Sequence, residues 1–344
     1  MQHEYQILRR ITMETVLVTG GTGFLAGWVI RKLLEKGYAV RTTVRSESKV
    51  TAVLSMLEHE GVPTERLSFA FADLTKEDGW KNAMEGIDKV IHVASPLGGN
   101  NHENPELIPI AENGVKNVLN AAIKAGVSKV VMTSSQAACY PDKKCADPAV
   151  SEAFWTNPDN KWITNYMRSK LYAEKTAWEI IGKQSRTQLT TILPGAILGP
   201  FMDGKRGSTD MIFEMLLKGT PSPNVIYPVV DVRDLADLHI LAMENPAANG
   251  ERFLAESEEM TMPEMAKLLK VSYPNKKVST MVIPDFVVSV MAKFQPPMKV
   301  LNTMIGLKYH YNTSKAKQTL GWTPRPAKET VIDAAEYLVK NQVV

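Results

Sequence analysis

One short stretch near the start of the chain constrains the fold more than any other part of the sequence. Residues 15–19 form an apolar run, and residues 20–26 read Gly-Gly-Thr-Gly-Phe-Leu-Ala. Apolar side chains then recur at helical spacing over residues 24–34, until Gly37. This order predicts a buried strand, a tight glycine turn and a helix. The free backbone amides at the start of such a helix attract a phosphate group.

The same alternation of strand and helix continues along the chain to about residue 195. Strand-like runs occupy residues 39–44, 67–71, 89–93, 129–133 and 189–193. Strands that alternate with helices predict a doubly wound parallel sheet. Runs such as residues 129–133 are mostly apolar, as expected for parallel strands that are covered on two faces. The predicted fold class is therefore α/β, a Rossmann sheet with a smaller, mostly C-terminal substrate-binding region.

The glycine turn has the spacing of a dinucleotide-binding turn. Gly20 permits the tight turn, Gly23 lets the backbone approach a pyrophosphate, and the small Ala26 allows close helix packing. Because the turn follows a buried strand and opens a helix, dinucleotide binding is favoured over a purely structural turn. The cofactor-binding residues predicted here are Gly20, Thr22, Gly23, Phe24 and Leu25.

The end of the second strand indicates which dinucleotide binds. An NAD enzyme usually offers a carboxylate to the ribose there, whereas residues 40–46 read Val-Arg-Thr-Thr-Val-Arg-Ser. Arg45, with Lys49 downstream, suits the 2′-phosphate of NADP(H), because a guanidinium forms paired, charge-assisted hydrogen bonds with phosphate. NADP(H) is therefore predicted in preference to NAD(H). The alternatives are that Arg45 is a solvated surface residue or that Glu47 reaches back to the ribose.

Three segments are predicted from these patterns. Residues 1–12 carry no usable pattern and are expected to be a disordered N-terminal extension. Residues 13–195 are predicted to form the dinucleotide-binding Rossmann domain, and residues 196–344 the substrate-binding region. Within the latter, residues 225–245 are expected to return to the Rossmann sheet.

A tyrosine and a lysine stand four residues apart, Tyr166 and Lys170, at the start of a long helical stretch. At that spacing they share one helix face. An ammonium beside a phenol lowers the phenol's pKa from its ordinary value near 10, so Tyr166 could act as an acid or base. The pair alone occurs by chance on many helices.

A serine at a strand end strengthens that interpretation. Ser135 follows the run at 129–133, at the carboxyl edge where doubly wound sheets bind their ligands. It is predicted to donate a hydrogen bond to a carbonyl oxygen, whereas Ser134 is expected to bond local backbone groups.

Together these motifs resemble the extended short-chain dehydrogenase/reductases over nearly the whole chain. Three segments resemble, more narrowly, the dihydroflavonol reductase-like branch. They are Val-Ala-Ser-Pro at 93–96, Pro-Gly-Ala-Ile-Leu-Gly-Pro at 194–200 and Val-Asp-Val-Arg-Asp at 230–234. That branch includes yeast methylglyoxal reductases, plant cinnamoyl-CoA reductases and bacterial aldehyde and ketone reductases.

The resemblance implies further cofactor contacts. Asp73 and Leu74 would flank the adenine, residues 93–95 would line the nicotinamide side, and residues 194–195 would hold the carboxamide. Lys170 would bind the nicotinamide ribose. The cofactor residues implied in this way are Asp73, Leu74, Val93, Ala94, Ser95, Tyr166, Lys170, Pro194, Gly195 and Ile197.

The predicted function is reduction of an aldehyde or ketone with NADPH, with Ser135, Tyr166 and Lys170 as catalytic residues. Gln136 stands where plant members often have alanine, so a more polar pocket wall is expected. The substrate-binding residues predicted are Ser135, Gln136, Tyr166, Phe201 and Met202.

Other functions share this fold. A nucleotide-sugar epimerase or dehydratase carries a similar tyrosine and lysine. However, the acidic pair that dehydratases place after the serine is missing at residues 136–137, and residues 192–195 read Ile-Leu-Pro-Gly. Sugar-modifying relatives usually have an Asn-rich segment at the latter position. A hydroxysteroid dehydrogenase differs only in pocket shape. A non-catalytic NADP(H)-sensing regulator tends to lose the tyrosine and lysine.

The composition of the chain limits the kinds of partner that the protein is expected to bind. The 40 basic and 37 acidic residues leave a net charge of +3, so neither nucleic acid nor an anionic membrane is expected. The chain has no long apolar run and no signal-peptide pattern, which predicts a cytoplasmic protein. A monomer or homodimer that binds a small carbonyl compound is expected. The two cysteines are expected to be reduced structural thiols, and the six histidines show no metal spacing, so no metal is predicted.

Two polar groups are expected to be structural. His92 lies within an apolar run and is predicted to be a hydrogen-bonded core imidazole. Asp231, Arg233 and Asp234 are predicted to form an ion pair that caps the helix at 235–243.

Overall fold

The computed structural model describes residues 13–96, 101–142, 149–202, 210–306 and 310–342. The predicted N-terminal extension, residues 1–12, lies outside these ranges, and so does Cys145.

The described residues form strands and helices in the following order. The strands are β1 (Thr15–Val18), β2 (Ala39–Val44), β3 (Leu67–Phe71), β4 (Lys89–His92), β5 (Lys129–Thr133), β6 (Ala149–Val150), β7 (Gln188–Pro194), β8 (Ala196–Leu198), β9 (Ser222–Pro223), β10 (Ile226–Asp231), β11 (Arg252–Ala255), β12 (Glu258–Thr261), β13 (Val282–Ile283) and β14 (His310–Tyr311). The helices are α1 (Phe24–Glu35), α2 (Glu47–His59), α3 (Trp80–Met84), α4 (Leu107–Ala125), α5 (Asn165–Ile181), α6 (Asp210–Leu217), α7 (Val232–Glu244), α8 (Met262–Ser272), α9 (Asp285–Met291), α10 (Pro296–Met304), α11 (Ser314–Leu320) and α12 (Ala327–Lys340).

A seven-stranded sheet forms the centre of the molecule, in the order β11-β7-β5-β4-β1-β2-β3. Every neighbouring pair in it runs parallel. The predicted doubly wound Rossmann sheet is therefore confirmed. The direction of winding reverses between β1 and β4, and the carboxyl ends of strands at such a reversal open a crevice where α/β sheets bind ligands.

Helices cover the two faces of this sheet. In β1 the side chains alternate, so that Val16 and Val18 pack against one core cluster and Leu17 against another. The first cluster takes buried residues from α1, α2 and α7. The second takes them from α3, α4 and α5. Because burial on two faces removes all of these apolar groups from water, it supplies most of the free energy that holds the sheet together.

The segment at 225–245 returns to the large sheet only through its helix. Its strand β10 instead pairs with β8 and β12 in a separate three-stranded sheet. The strand that joins the large sheet is β11, which lies beside β7. The chain leaves the large sheet at Gly195, where a Cβ atom would lie 2.2 Å from the Pro228 carbonyl oxygen. β10 then pairs with β8, which follows this glycine.

A third core fills the C-terminal region, between α6, α8, α12 and β10. Ion pairs connect α12 to the start of α7. As predicted, Asp231 caps α7, and it accepts a hydrogen bond from the Arg233 backbone at 2.8 Å. The Arg233 guanidinium also donates to Asp333 at 2.6 Å. In the described ranges, no helix is long and apolar enough to cross a membrane.

Candidate active site

The glycine turn is held against β2 and β4. Gly20 adopts a φ of +75°, and a Cβ atom there would lie 3.0 Å from the Ala94 side chain. The Gly20 backbone amide donates to Thr43 Oγ1 at 2.9 Å, and the Gly23 amide donates to the Gly20 carbonyl at 2.9 Å. Gly23 precedes α1 without a side-chain cap. The first amides of α1 therefore remain available to an anion.

A cleft of about 790 Å³ follows the carboxyl ends of the central strands. All residues predicted to bind a cofactor line this one cleft, although they come from widely separated parts of the chain. Their role toward a dinucleotide stays a prediction. The lining residues include Gly20, Thr22, Gly23, Phe24, Leu25, Arg45, Lys49, Asp73, Leu74, Val93, Ala94, Ser95, Tyr166, Lys170, Pro194, Gly195 and Ile197.

The charges near the end of β2 favour an anion. Arg45 and Lys49 line the cleft, whereas Glu47, the alternative ribose ligand, does not. Asp73 also lines it. Its pKa lies below the ordinary value, because its carboxylate accepts a hydrogen bond from the Thr75 backbone.

The structure brings Ser135, Tyr166 and Lys170 to the same cleft. Ser135 follows β5, and its Oγ accepts a hydrogen bond from the Ala137 amide at 3.1 Å. Tyr166 lies in the first turn of α5, and its backbone amide donates to the His102 carbonyl at 2.8 Å. A serine hydroxyl has one proton and two lone pairs, and the Ala137 amide uses one of the lone pairs, so Ser135 can still donate its proton to a ligand.

The electrostatics of the tyrosine and lysine differ from the sequence prediction. Lys170 was expected to lower the pKa of Tyr166, yet burial raises it to about 12. Burial also lowers the pKa of Lys170 to about 8. The Lys170 ammonium donates to Ser95 Oγ at 2.8 Å and lies 5.6 Å from the centre of the Tyr166 ring. Loss of hydration therefore outweighs the attraction between the two groups in this structure.

A buried carboxylate connects the elements that carry these residues. Glu174, on α5, is fully buried and accepts a hydrogen bond from Ser134 Oγ at 2.7 Å. It also accepts from Thr191 at 2.7 Å and from Arg252 at 2.8 Å. The prediction that Ser134 bonds local backbone groups is therefore wrong, because its hydroxyl meets a charged acceptor from another element. Glu174 joins α5 to the end of β5 and thereby fixes Tyr166 relative to Ser135.

Two neutral histidines support the strand ends. His92 is buried as predicted, with Nδ1 2.8 Å from Thr19 Oγ1, and burial lowers its pKa to about 4. His239 Nδ1 donates to the Leu235 carbonyl at 2.8 Å, so Nε2 accepts from Thr133 at 2.8 Å. Burial likewise lowers the pKa of His239 to about 4. Within the described residues, no three His, Cys, Asp or Glu side chains cluster as metal ligands would.

A second cavity, of about 250 Å³, adjoins the cleft and is here called the apolar pocket. Most of its lining is aromatic or aliphatic. Of the predicted substrate-binding residues, Ser135, Gln136 and Tyr166 line it. Its lining residues are His102, Ser135, Gln136, Ala137, Tyr140, Thr164, Tyr166, Met167, Pro194, Gly195, Ala196, Ile226, Tyr227, Pro228, Glu259, Thr303, Met304 and Tyr311.

The other two predicted substrate residues lie elsewhere. Phe201 and Met202 line the cleft and do not line the apolar pocket. The Phe201 ring stacks on Phe24 with ring centres 3.8 Å apart. Met202 packs over Gly27, where a Cβ atom would lie 2.7 Å from its Cε. Helix packing at the glycine turn places these two side chains away from the pocket.

Sequence reasoning missed several residues that shape the site. Gly27, in addition to Ala26, allows neighbouring side chains to approach α1 closely, because a Cβ atom there would lie 2.7 Å from Met202 Cε. Thr43 holds the glycine turn. Glu256 accepts a hydrogen bond from Gln136 Nε2 at 2.8 Å, behind the pocket wall. A glycine one residue beyond the turn is a signal that could have been used, whereas the contact between Gln136 and Glu256 spans 120 residues and has no local pattern.

Comparison with known proteins places the chain in a family. Residues 16–254 match the NAD dependent epimerase/dehydratase family. Cinnamoyl-CoA reductase 1 of Petunia hybrida is 32% identical over 340 residues, which cover 94% of this chain and 97% of that protein. Dihydroflavonol 4-reductase of Zea mays is 33% identical over 277 residues, covering 77% of this chain and 76% of that protein.

A solved structure agrees with these sequence matches. The crystal structure of yeast methylglyoxal/isovaleraldehyde reductase Gre2, complexed with NADPH, superimposes with a TM-score of 0.79 at 25% identity. The superposition covers 96% of this chain and 99% of that one.

The chain belongs to the NAD dependent epimerase/dehydratase family. It is a reductase of the NAD(P)-dependent, extended short-chain dehydrogenase/reductase type. The predicted family, fold class and enzyme class are therefore confirmed. The alternative of a non-catalytic regulator is set aside.

Proposed function

We propose that this protein reduces an aldehyde or ketone to the alcohol with NADPH, and that Ser135, Tyr166 and Lys170 perform the proton chemistry. One observation carries the proposal. Ser135 and Tyr166 line the cleft and also line the apolar pocket. A carbonyl group held in the pocket would therefore meet the two hydroxyls at the border with the cleft.

The residues of the cleft fit a phosphorylated dinucleotide. The uncapped start of α1 offers backbone amides to a pyrophosphate. Arg45 and Lys49 offer positive charge to an additional phosphate, and Glu47 stays outside the cleft. The yeast reductase with the same fold was solved with NADPH. When bound, the nicotinamide would supply the hydride, which is chemistry the protein side chains do not provide.

Each catalytic side chain has a role that follows from its surroundings. Ser135 donates a hydrogen bond to the carbonyl oxygen, because its bond from the Ala137 amide orients the hydroxyl and leaves the proton to be donated. Tyr166 delivers the proton, because burial keeps the phenol protonated with a pKa of about 12. Lys170 is cationic below its pKa of about 8 and favours the phenolate that remains after proton transfer. Ser95 accepts a hydrogen bond from Lys170 and holds its position.

The test is an assay of NADPH oxidation against a panel of aldehydes and ketones, repeated with NADH. We expect turnover of several carbonyl compounds and a clear preference for NADPH. Alcohol formation in equal amount to NADPH consumed would establish the reaction. If no carbonyl compound supports NADPH oxidation, the proposal is wrong.

A further inference from the structure

The apolar pocket carries a charge pattern that bears on its substrate. Glu259 is the one lining residue with a formal negative charge, and no lysine or arginine lines the pocket among the described residues. Its side chain is only 19% exposed. Glu259, on β12, is paired with Pro228 on β10, so the two residues lie on the same face of the small sheet. The Pro228 carbonyl in turn lies against Gly195, which also lines the pocket.

A second carboxyl group lies behind the same wall. Glu256 is 5% exposed and accepts a hydrogen bond from Gln136, which lines the pocket. Burial is the main cause that raises the pKa of Glu256, and the charge of Glu259 raises it further. The two carboxyl groups are therefore close enough to interact, and the pocket wall beside them is unfavourable for a further negative charge.

One basic group faces Glu259. His310 Nδ1 lies 2.5 Å from Glu259 Oε2, on the outer side, with 68% of the His310 side chain exposed. The His310 imidazole neutralises the charge of the Glu259 carboxylate only when the imidazole is protonated. Lys317 also acts on Glu256 from a distance. Neither of these two basic residues lines the pocket. Among the described residues, the basic side chain in its lining is His102, whose ring centre lies 5.0 Å from that of Tyr166.

We propose that the apolar pocket accepts uncharged carbonyl compounds with a ring-sized apolar group and rejects anionic ones, with Glu259 as the residue that determines this selection. The inference rests on the proposed function and names its substrate class. Engineered apolar cavities of about 150 Å³ hold a benzene ring, so a pocket of about 250 Å³ has room for a ring with a short substituent. A carboxylate in that space would lose its hydration and meet a like charge.

Two compounds of nearly equal shape test the selection. Methyl 4-formylbenzoate is uncharged, and 4-formylbenzoate carries a carboxylate at the same position. We expect the ratio of their kcat/KM values to favour the ester by roughly ten-fold, because the repulsion between two like charges a few ångströms apart is of that order. Calorimetry can also measure the dissociation constant of each compound from the complex of the enzyme with NADP⁺. These constants should show the same preference for the ester without turnover.

Three variants test whether the charge of Glu259 causes the preference for the ester. Glu259→Gln should raise kcat/KM for the carboxylate and reduce the ratio at least three-fold. Glu336→Gln removes the same charge from an exposed position on α12 and should retain the wild-type ratio. His310→Gln leaves the carboxylate in place and should retain or enlarge the ratio.

The outcomes separate this inference from the proposed function. A ratio near one in the wild type, or a ratio that Glu259→Gln does not change, overturns the inference while reductase activity remains. A ratio near one in His310→Gln also overturns the inference. The selection would then depend on the shape of the site at His310 and not on the charge of Glu259. If neither compound consumes NADPH, the binding constants still decide the inference, and the carbonyl panel decides the proposed function.

Discussion

The cleft and the apolar pocket differ in where their residues come from. The cleft is lined mainly by the glycine turn and by residues that follow β2, β3, β4, β5 and β7, all strands of one sheet. The pocket takes its walls from segments as distant as His102 and Tyr311, including residues of the small three-stranded sheet and of α10. A repeated structural unit thus builds the first cavity, and long-range packing builds the second.

This difference explains why the two cavities can vary separately. Strand ends in a doubly wound sheet recur at the same edge, so a cofactor site can be retained while loops change. Substitutions in the cleft should therefore affect cofactor binding, and those in the pocket should affect substrate choice. Residues shared by the two cavities should affect turnover most.

The largest effect is expected at Tyr166, which lines the two cavities. Tyr166→Phe removes the proposed proton donor and should lower kcat by about 10²–10⁴-fold, with NADPH affinity nearly unchanged. Stopped-flow turnover and fluorescence titration of NADPH measure the two quantities. Tyr172→Phe, on the same helix but outside the two cavities, is the matched control. Full turnover by Tyr166→Phe would contradict the assignment.

The next effect is expected at the far end of the cleft. Arg45→Gln should lower kcat/KM for NADPH by roughly 10–100-fold, the value of one or two charge-assisted hydrogen bonds, and change that for NADH little. Steady-state kinetics with the two cofactors measure the ratio. Glu47→Gln should leave the ratio unchanged. A specific loss of NADH use in Glu47→Gln would instead support the ribose contact from that carboxylate.

The pH dependence tests the border between the cavities. Lys170 has a pKa of about 8 and loses its charge above that pH, whereas Tyr166 stays protonated to about 12. The rate of carbonyl reduction should therefore fall as pH rises above about 8, by up to about ten-fold per pH unit. A pH profile of kcat/KM, with enzyme stability checked at each pH, measures this. A flat profile from pH 7 to 10 would contradict a requirement for the Lys170 charge.

The smallest effect concerns the pocket wall. Burial raises the pKa of Glu256 to about 7, from an ordinary value of 4.5. A raised carboxyl pKa contributes stability that is present below the unfolded value and is lost as pH rises through the folded value. Glu256→Gln should therefore gain stability relative to the wild type between pH 5 and pH 8, by roughly 1–3 kcal/mol. Thermal melts at these pH values measure it, and parallel pH dependence of the two proteins would refute the account.

Much of the fold could be predicted from local sequence. The strand bounds at 39–44, 67–71 and 129–133 match the structure. The run at 129–133 has the apolar composition of a strand that is buried on two faces, whereas the edge strand at 67–71 has no fully buried residue. The pairing of β10 could not be predicted. It depends on Gly195 passing close to the Pro228 carbonyl, a contact between residues distant in sequence.

The candidate site shows the same limit. The predicted cofactor residues line one cleft because strand order alone brings their segments together. Phe201 and Met202 were predicted for the substrate, but their packing on Phe24 and Gly27 draws them into the cleft. The pKa of Tyr166 was predicted to fall, since spacing along a helix reveals a nearby charge but not the degree of burial.

The wall common to the two cavities has a practical consequence. Five residues line the two cavities at once: Ser135, Tyr166, Pro194, Gly195 and Ala196. Because these five residues border the two spaces at once, one inhibitor could extend from the cleft into the pocket. Joining two weak fragments in this way makes the second binding event intramolecular, at an effective concentration in the millimolar range for a short linker. The linked compound would then bind far more tightly than either fragment.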